Sequence, residues 1–354
     1  MKTITVNKVC FSNHLVVARY RRYAITLNLQ ACLLAAVMVM LLVLLSGYAL
    51  TVGKLPISLS EALEILWSIQ QQEAGFKQHI LLDIRLPRIL TALLSGAALG
   101  ISGAIFQSIS RNPLGSPDII GFTSGAASGA LMQIILLGGG ALQISISAIV
   151  GGIVTALLVL LLSYKAGRIE RNKLILNGIG LGAIFTALNG LLLVIGNLDN
   201  AVTANFWLAG SLHARTWNHV LPLAVGLVIS LSVIQLVFKP LLYSDLGDER
   251  AKSLGIEVEK VRLVMTLLAV VLAALATGAT GPIAFIALAA PQLVNRLKNN
   301  AQLSLFNSGL MGALLLLFAD LLTQVIPVSL NLPIGRVTGI VGGMYLLCLL
   351  SRMR

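Results

Sequence analysis

The chain has 354 residues, 57% of them hydrophobic and 11% charged, with a net charge of +12 and a mean hydropathy of +0.93. Soluble globular domains carry about 25% charged residues, so this composition excludes one and requires an integral membrane protein. The positive balance invites a nucleic-acid partner, but basic loops on one side of a membrane give the same sum, and the placement of the charges decides between the two.

Residues 1–26 are basic and polar and lead into a long apolar span without a small-residue cleavage site. They are expected to form a cytoplasmic tail before a retained first helix, with no removed signal peptide. Residues 27–354 then read as one membrane domain with ten apolar segments, at 27–51, 87–107, 119–137, 142–164, 174–195, 220–238, 261–276, 282–297, 305–326 and 332–351. The seventh and eighth are separated only by residues 277–281, so one of them is expected to be broken or re-entrant. The piece 201–212 is too short to span and reads as a half-helix, tolerated where protein or water covers its ends. No soluble domain fits, since the longest polar interruptions are 52–84 and 239–262. Cys10, Cys32 and Cys348 form no C-x-x-C pair and are expected to be packing residues or an exposed thiol, with no metal or redox work.

With the N-terminus inside, 19 of the 25 Lys and Arg fall on inner segments. The outer ones are Lys54, Lys77, Arg85, Arg88, Arg215 and Arg336. The positive-inside rule therefore places both termini in the cytoplasm, accounts for the net charge and removes nucleic acid as a partner.

From Arg85 the chain reads RLPRILTALLSGAALGISGAIFQSISRNPLGSPDIIGF, a basic doublet, a small-residue apolar helix and an Asn-Pro-Leu-Gly-Ser-Pro turn. With GPIAFIALAAPQLVNRL at 281–297 and LPIGRVTGIVGGMYLLCLL at 332–350, it resembles the signature regions of the FecCD-type permease family. These are membrane subunits of ATP-driven importers for iron–siderophores, haem and cobalamin, and the wording is nearest to ferric-enterobactin permease subunits. The resemblance implies an all-α polytopic fold of about ten transmembrane helices, the type II ABC importer permease fold, in a bacterial inner membrane. It also implies a second permease subunit, identical or related, two ATP-binding subunits, a periplasmic siderophore-binding protein and a ferric siderophore as cargo, a catecholate by the nearest wording. Haem or cobalamin is the alternative cargo. Spans two to five and seven to ten begin on opposite sides of the membrane, as an inverted repeat needs.

The chain has no G-x-x-x-x-G-K-[ST], so ATP is expected to act through a partner subunit, with no cofactor bound directly and no enzyme activity here. An ion-coupled secondary transporter is the rival reading, but the one well-embedded acid, Asp320, is thin support for it and reads as a structural residue near the outer surface.

Three sets of residues carry the expected mechanism. In YSDLGDERAKSLGIEVEKVR (243–262), Asp245 or Asp248 can cap a short helix and Leu254-Gly255 can stop it. An ordinary solvated loop is the other reading of these residues. The resemblance implies a cytoplasmic coupling segment, with Leu246, Ala251, Leu254 and Gly255 in a groove of the ATP-binding subunit and Glu249 and Arg250 at its rim. Arg85 and Arg88 are three apart, and Pro87 is suited to a first helical turn, so both guanidiniums can face the outer mouth. Interfacial snorkelling explains them equally; the resemblance implies that they receive carboxylates of the binding protein, which suits Arg's planar fork. Gln324 stands where some relatives place a basic residue, and Arg336 is the candidate to replace it. Ser95, Ser102, Thr123, Ser124, Ser128, Asn177, Thr186 and Asn189 are candidates to line a wide, partly polar pathway, or else to bind helices together. His213 and His219 are not expected to hold iron, because the metal arrives chelated.

Overall fold

Apolar helices, and the small residues that let them touch, build the described part of this protein. The computed structural model describes residues 5–7, 15–20, 23–53, 55–67, 75–165, 168–245, 247–298, 303–325 and 332–351. Ahead of the helices stands an element the composition did not suggest, an antiparallel meander of β1 (Thr5–Asn7), β2 (Leu15–Tyr20) and β3 (Tyr23–Asn28). Leu15 pairs with Asn28 and Tyr20 with Tyr23. The Val-Val and Ile-Thr steps of β2 and β3 supply the β-branched residues that strands favour. Asn28 ends β3 and caps α1 (Leu29–Thr51), its side chain accepting from the Gln30 and Ala31 N–H groups.

After α2 (Leu59–Trp67), a continuous helical segment runs from Phe76 to Ser110. It comprises α3 (Phe76–His79), a π-helical stretch Ile80–Arg85 and α4 (Leu86–Ser110). Pro87 therefore lies in the first turn of α4, as expected, and the π stretch carries the helical path on ahead of it. A proline there lacks one N–H and crowds the preceding turn, and the wider π turn directly before it makes the room. A 3₁₀ turn, Pro117–Ile120, leads to α5 (Phe122–Met132), which continues as a π stretch, Gln133–Leu137. Next come α6 (Ala141–Ser163), the two-residue strands β4 (Tyr164–Lys165) and β5 (Arg168–Ile169), α7 (Arg171–Ile195) and the short α8 (Leu198–Leu208). The chain closes with α9 (Trp217–Asp245), α10 (Asp248–Ser253), α11 (Val258–Thr280), α12 (Ile286–Lys298), α13 (Leu305–Val325) and α14 (Ile334–Ser351).

Among the described residues seven helical segments are long and apolar enough to cross a membrane; α5, α12 and α14 complete the ten expected from the sequence. The 13 residues of α12 reach only about 20 Å against a hydrocarbon core of about 30 Å. That is the broken span anticipated after residue 281. Two of the packing relations are those that an inverted repeat of spans two to five and seven to ten would give. In the first half α4 lies on α13 and α5 on α6; in the second α11 lies on α6 and α12 on α13.

Backbone contact between helices replaces the hydrophobic force that is missing in lipid. A side chain at Gly96, Gly100 or Gly312 would strike the backbone of the facing helix, α13 for the first two and α4 for the third. Gly125 and Gly129 of α5 meet Thr155, Ser147 and Gly151 of α6 in the same way. The result puts α4 at the centre: 78% of its span is buried within the chain, against 6% for α1. At the face opposite the start of α1, three backbones meet. There Gly210 (φ +68°), Gly281 (φ +74°) and Gly335 abut the carbonyls of Pro282, Trp207 and Ala209, and Ser211 N–H donates to the Thr280 carbonyl at 2.8 Å.

Candidate functional site

The face opposite the start of α1 carries the paired arginines, and neither is free. The π stretch turns Arg85 inward, where it is 8% exposed and donates to the carbonyls of Leu50 and Leu55. These carbonyls lie at the end of α1 and just beyond it, where intrahelical donors run out, so Arg85 ties α4 to α1. Arg88 grips Asp320 of α13 with two prongs, Nε to Oδ2 at 3.0 Å and Nη2 to Oδ1 at 2.8 Å. The Asp320 side chain is 1% exposed, and Gln324 donates to its Oδ2 at 2.8 Å. Both arginines expected at the outer mouth are thus engaged within the chain, Arg85 by carbonyls of and just beyond α1 and Arg88, its side chain still 24% exposed, by the buried Asp320 carboxylate. Arg215 is likewise engaged, donating through Nε to the Ser211 carbonyl at 3.0 Å, and burial lowers its guanidinium to about 10. Arg336, in the first turn of α14 beside the glycine junction, is exposed. On the same face the hydrogen bond from Lys77 holds the Glu61 carboxyl below the usual range.

Midway through the bundle, four of the polar lining candidates form a seam between α5 and α7. Ser128 donates to Asn189 Oδ1 at 2.7 Å, Asn189 Nδ2 donates to the Ser124 carbonyl at 3.2 Å, and Ser124 Oγ lies 3.4 Å from Thr186 Oγ1. Thr186 is exposed and Ser124 half-buried, so this seam borders open space. Asn177 bonds Ser163 at 3.1 Å and joins α7 to α6. Ser95 and Ser102 are different. Both are fully buried, and Ser102 donates to the Ala269 carbonyl at 2.6 Å. They sit inside the α4 packing, as the helix-binding alternative for these residues has it. Thr123 and Ser116 hydrogen-bond the Asp118 carboxyl; desolvation outweighs both and pushes it up to about 6.

At the face where α1 begins, α10 is a helix, as the spacing predicts. Its stop is the predicted one, with Gly255 left-handed at φ +77°. Its start differs: Gly247 is the N-cap, with no side-chain cap. Asp248 instead pairs with Arg111 and Arg262, at 2.6 and 3.3 Å. Leu254 is 64% exposed and Glu249 and Arg250 are exposed, so all three present surface. Ala251 is fully buried within the chain and offers none, because its small methyl is the side on which α10 rests against its own bundle. Leu246 lies outside the described residues.

A profile of the FecCD transport family matches residues 38–352. The chain belongs to the FecCD transport family. It is 48% identical over 271 residues to the ferric enterobactin transport system permease protein FepG of Escherichia coli (strain K12), covering 77% of this chain and 82% of that one. It is 33% identical to the achromobactin transport system permease protein CbrC of Dickeya dadantii (strain 3937), over 97% and 98% of the two chains. A solved structure of an inward-facing metal-chelate type ABC transporter matches with a TM-score of 0.79 at 30% identity, over 90% of this chain and 98% of that one. The FecCD chain is thus a multi-pass, non-enzymatic permease component of an ABC importer, with the type II fold, and needs ATPase and binding-protein partners.

Sequence reasoning missed the partner of Arg88 in this FecCD chain, although the signal was present. A lone acid within an apolar span requires a cation, and Asp320 and Arg88 both stand towards the outer ends of their spans.

Proposed function

We propose that this permease moves a ferric siderophore of the catecholate class across a bacterial inner membrane, with residues 1–26 and the C-terminus in the cytoplasm and residues 27–354 as the transmembrane domain. Its partners are two ATP-binding subunits, a second permease subunit, identical or related, and a periplasmic siderophore-binding protein. The observation that carries the cargo is the 48% identity to a ferric enterobactin permease over 82% of its length. Ferric triscatecholates are anionic, and an exposed Arg336 at the outer mouth favours both them and an acidic docking lobe. The rival ion-coupled mechanism loses its residue, since Asp320 is committed to Arg88 and Gln324. In cells lacking every other siderophore permease, radiolabelled iron should enter as a catecholate complex and fail to enter as a hydroxamate or as haem. Uptake of either of those without the catecholate would overturn the cargo.

The exposed end of α10 supports its reading as the coupling helix. Leu254→Asp should abolish import while leaving the thermal midpoint of the permease alone, because Leu254 faces away from its own chain. An unpaired charge pressed into a partner's apolar groove costs several kcal/mol. Import at the wild-type rate would reduce this segment to a loop.

A further inference from the structure

We propose that Arg111, Asp248 and Arg262 form the joint through which α10 moves the central helix α4, with Arg111 as a positioning residue for transport. The inference rests on the reading of α10 as the contact with the ATP-binding subunit. A six-residue helix without a side-chain cap does not hold its own shape in water, so its stiffness has to come from what grips it. Two guanidiniums from two different elements grip one carboxylate. Arg111 Nη2 donates to Asp248 Oδ1 at 2.6 Å and also to the Ser244 carbonyl at 3.1 Å, so one side chain clamps the last turn of α9 and the first turn of α10 together. From the other side Arg262 of α11 reaches Asp248 Oδ2 at 3.3 Å, while its Nη1 holds Glu259 at 2.9 Å.

The placement of Arg111 suits this task. It is the C-cap of α4, left-handed at φ 49°, and its N–H turns back onto Gln107 and Ser108. A non-glycine residue in that region is uncommon, and here it ends the helix at the point where the side chain meets the α9–α10 corner. A single exposed ion pair contributes little. This one is shared, and the Arg262 side chain is only 11% exposed, which keeps water from loosening that half. Since α4 packs on α13, α11, α12 and α9, a push on α10 enters α4 and α11 together at their ends. It then reaches the Arg88–Asp320 pair at the far face through one rigid helix. Without Arg111, α10 can follow the ATP-binding subunit while α4 stays behind.

The test uses the whole importer in proteoliposomes, with its ATP-binding subunits, binding protein and a ferric catecholate, and reads iron imported per ATP hydrolysed. Arg111→Ala and Asp248→Ala should each lower that ratio by about tenfold, with the ATP-binding subunits still co-purifying in full amount. The double variant should be no worse than either single one, because both remove the same joint. Arg111→Lys should recover part of the ratio, keeping the charge with fewer donors. Multiplying effects in the double variant, an unchanged ratio, or loss of the ATP-binding subunit from Arg111→Ala would each overturn the joint. Leu254→Asp separates the two ideas. If it stops import while Arg111→Ala is silent, only the joint fails. If both are silent, the coupling role of α10 fails as well.

Discussion

Replacing Arg88 by alanine is expected to leave little folded permease. Asp320 would keep Gln324 and lose its only described cation in a site where its side chain is 1% exposed. Removing one partner of a buried pair costs about 3–5 kcal/mol, a large part of the roughly 5–15 kcal/mol that holds a typical domain together. The measurement is the yield and thermal midpoint of the purified permease. Arg88→Met combined with Asp320→Leu should recover most of the loss, because exchanging the whole pair for apolar residues of similar volume is close to neutral. A single Arg88→Ala variant as stable as the parent would show that the pair holds nothing.

Gly312→Val should be as damaging by an unrelated route. The new side chain would meet the Gly96 carbonyl, and helix backbones have no rotamer with which to yield. Overpacking costs about 1–3 kcal/mol where side chains can shift; here the separation of α13 from α4 is the relief available, and α4 is the helix around which the rest is arranged. A disulfide engineered between the two helices should form in the parent and fail in the variant. Gly180→Val, at a position with nothing within 4 Å, is the control and should leave the cross-link intact.

What was legible in the sequence is what depends on runs of neighbours. Ten apolar stretches correspond to ten helical segments among the described residues, a broken span was expected near 277–281 and the break falls just after Thr280, and Leu254-Gly255 marked the end of α10. Contacts between distant elements were not legible. Arg85 and Arg88 share one motif, yet their partners stand 35 and 232 positions away, and spacing along one helix says nothing about either. Pro87 marked the first turn of α4 as read, but nothing in the spacing announced the π stretch at Ile80–Arg85 that runs into it. Ala251 was read with the exposed residues around it, although a small residue in a charged helix is also how that helix rests on its own protein.

The separation of 232 positions between Arg88 and Asp320 has a consequence for biogenesis. At roughly 5–20 residues per second, a ribosome needs about 10–50 s to pass from one to the other. Throughout that interval α4 is already made and its guanidinium has no carboxylate to meet. The helix at the centre of the finished bundle is therefore among the last to settle. A nascent chain stalled before α13 holds α4 without the helix and the carboxylate it packs on, and should be the form that proteases and quality control recognise.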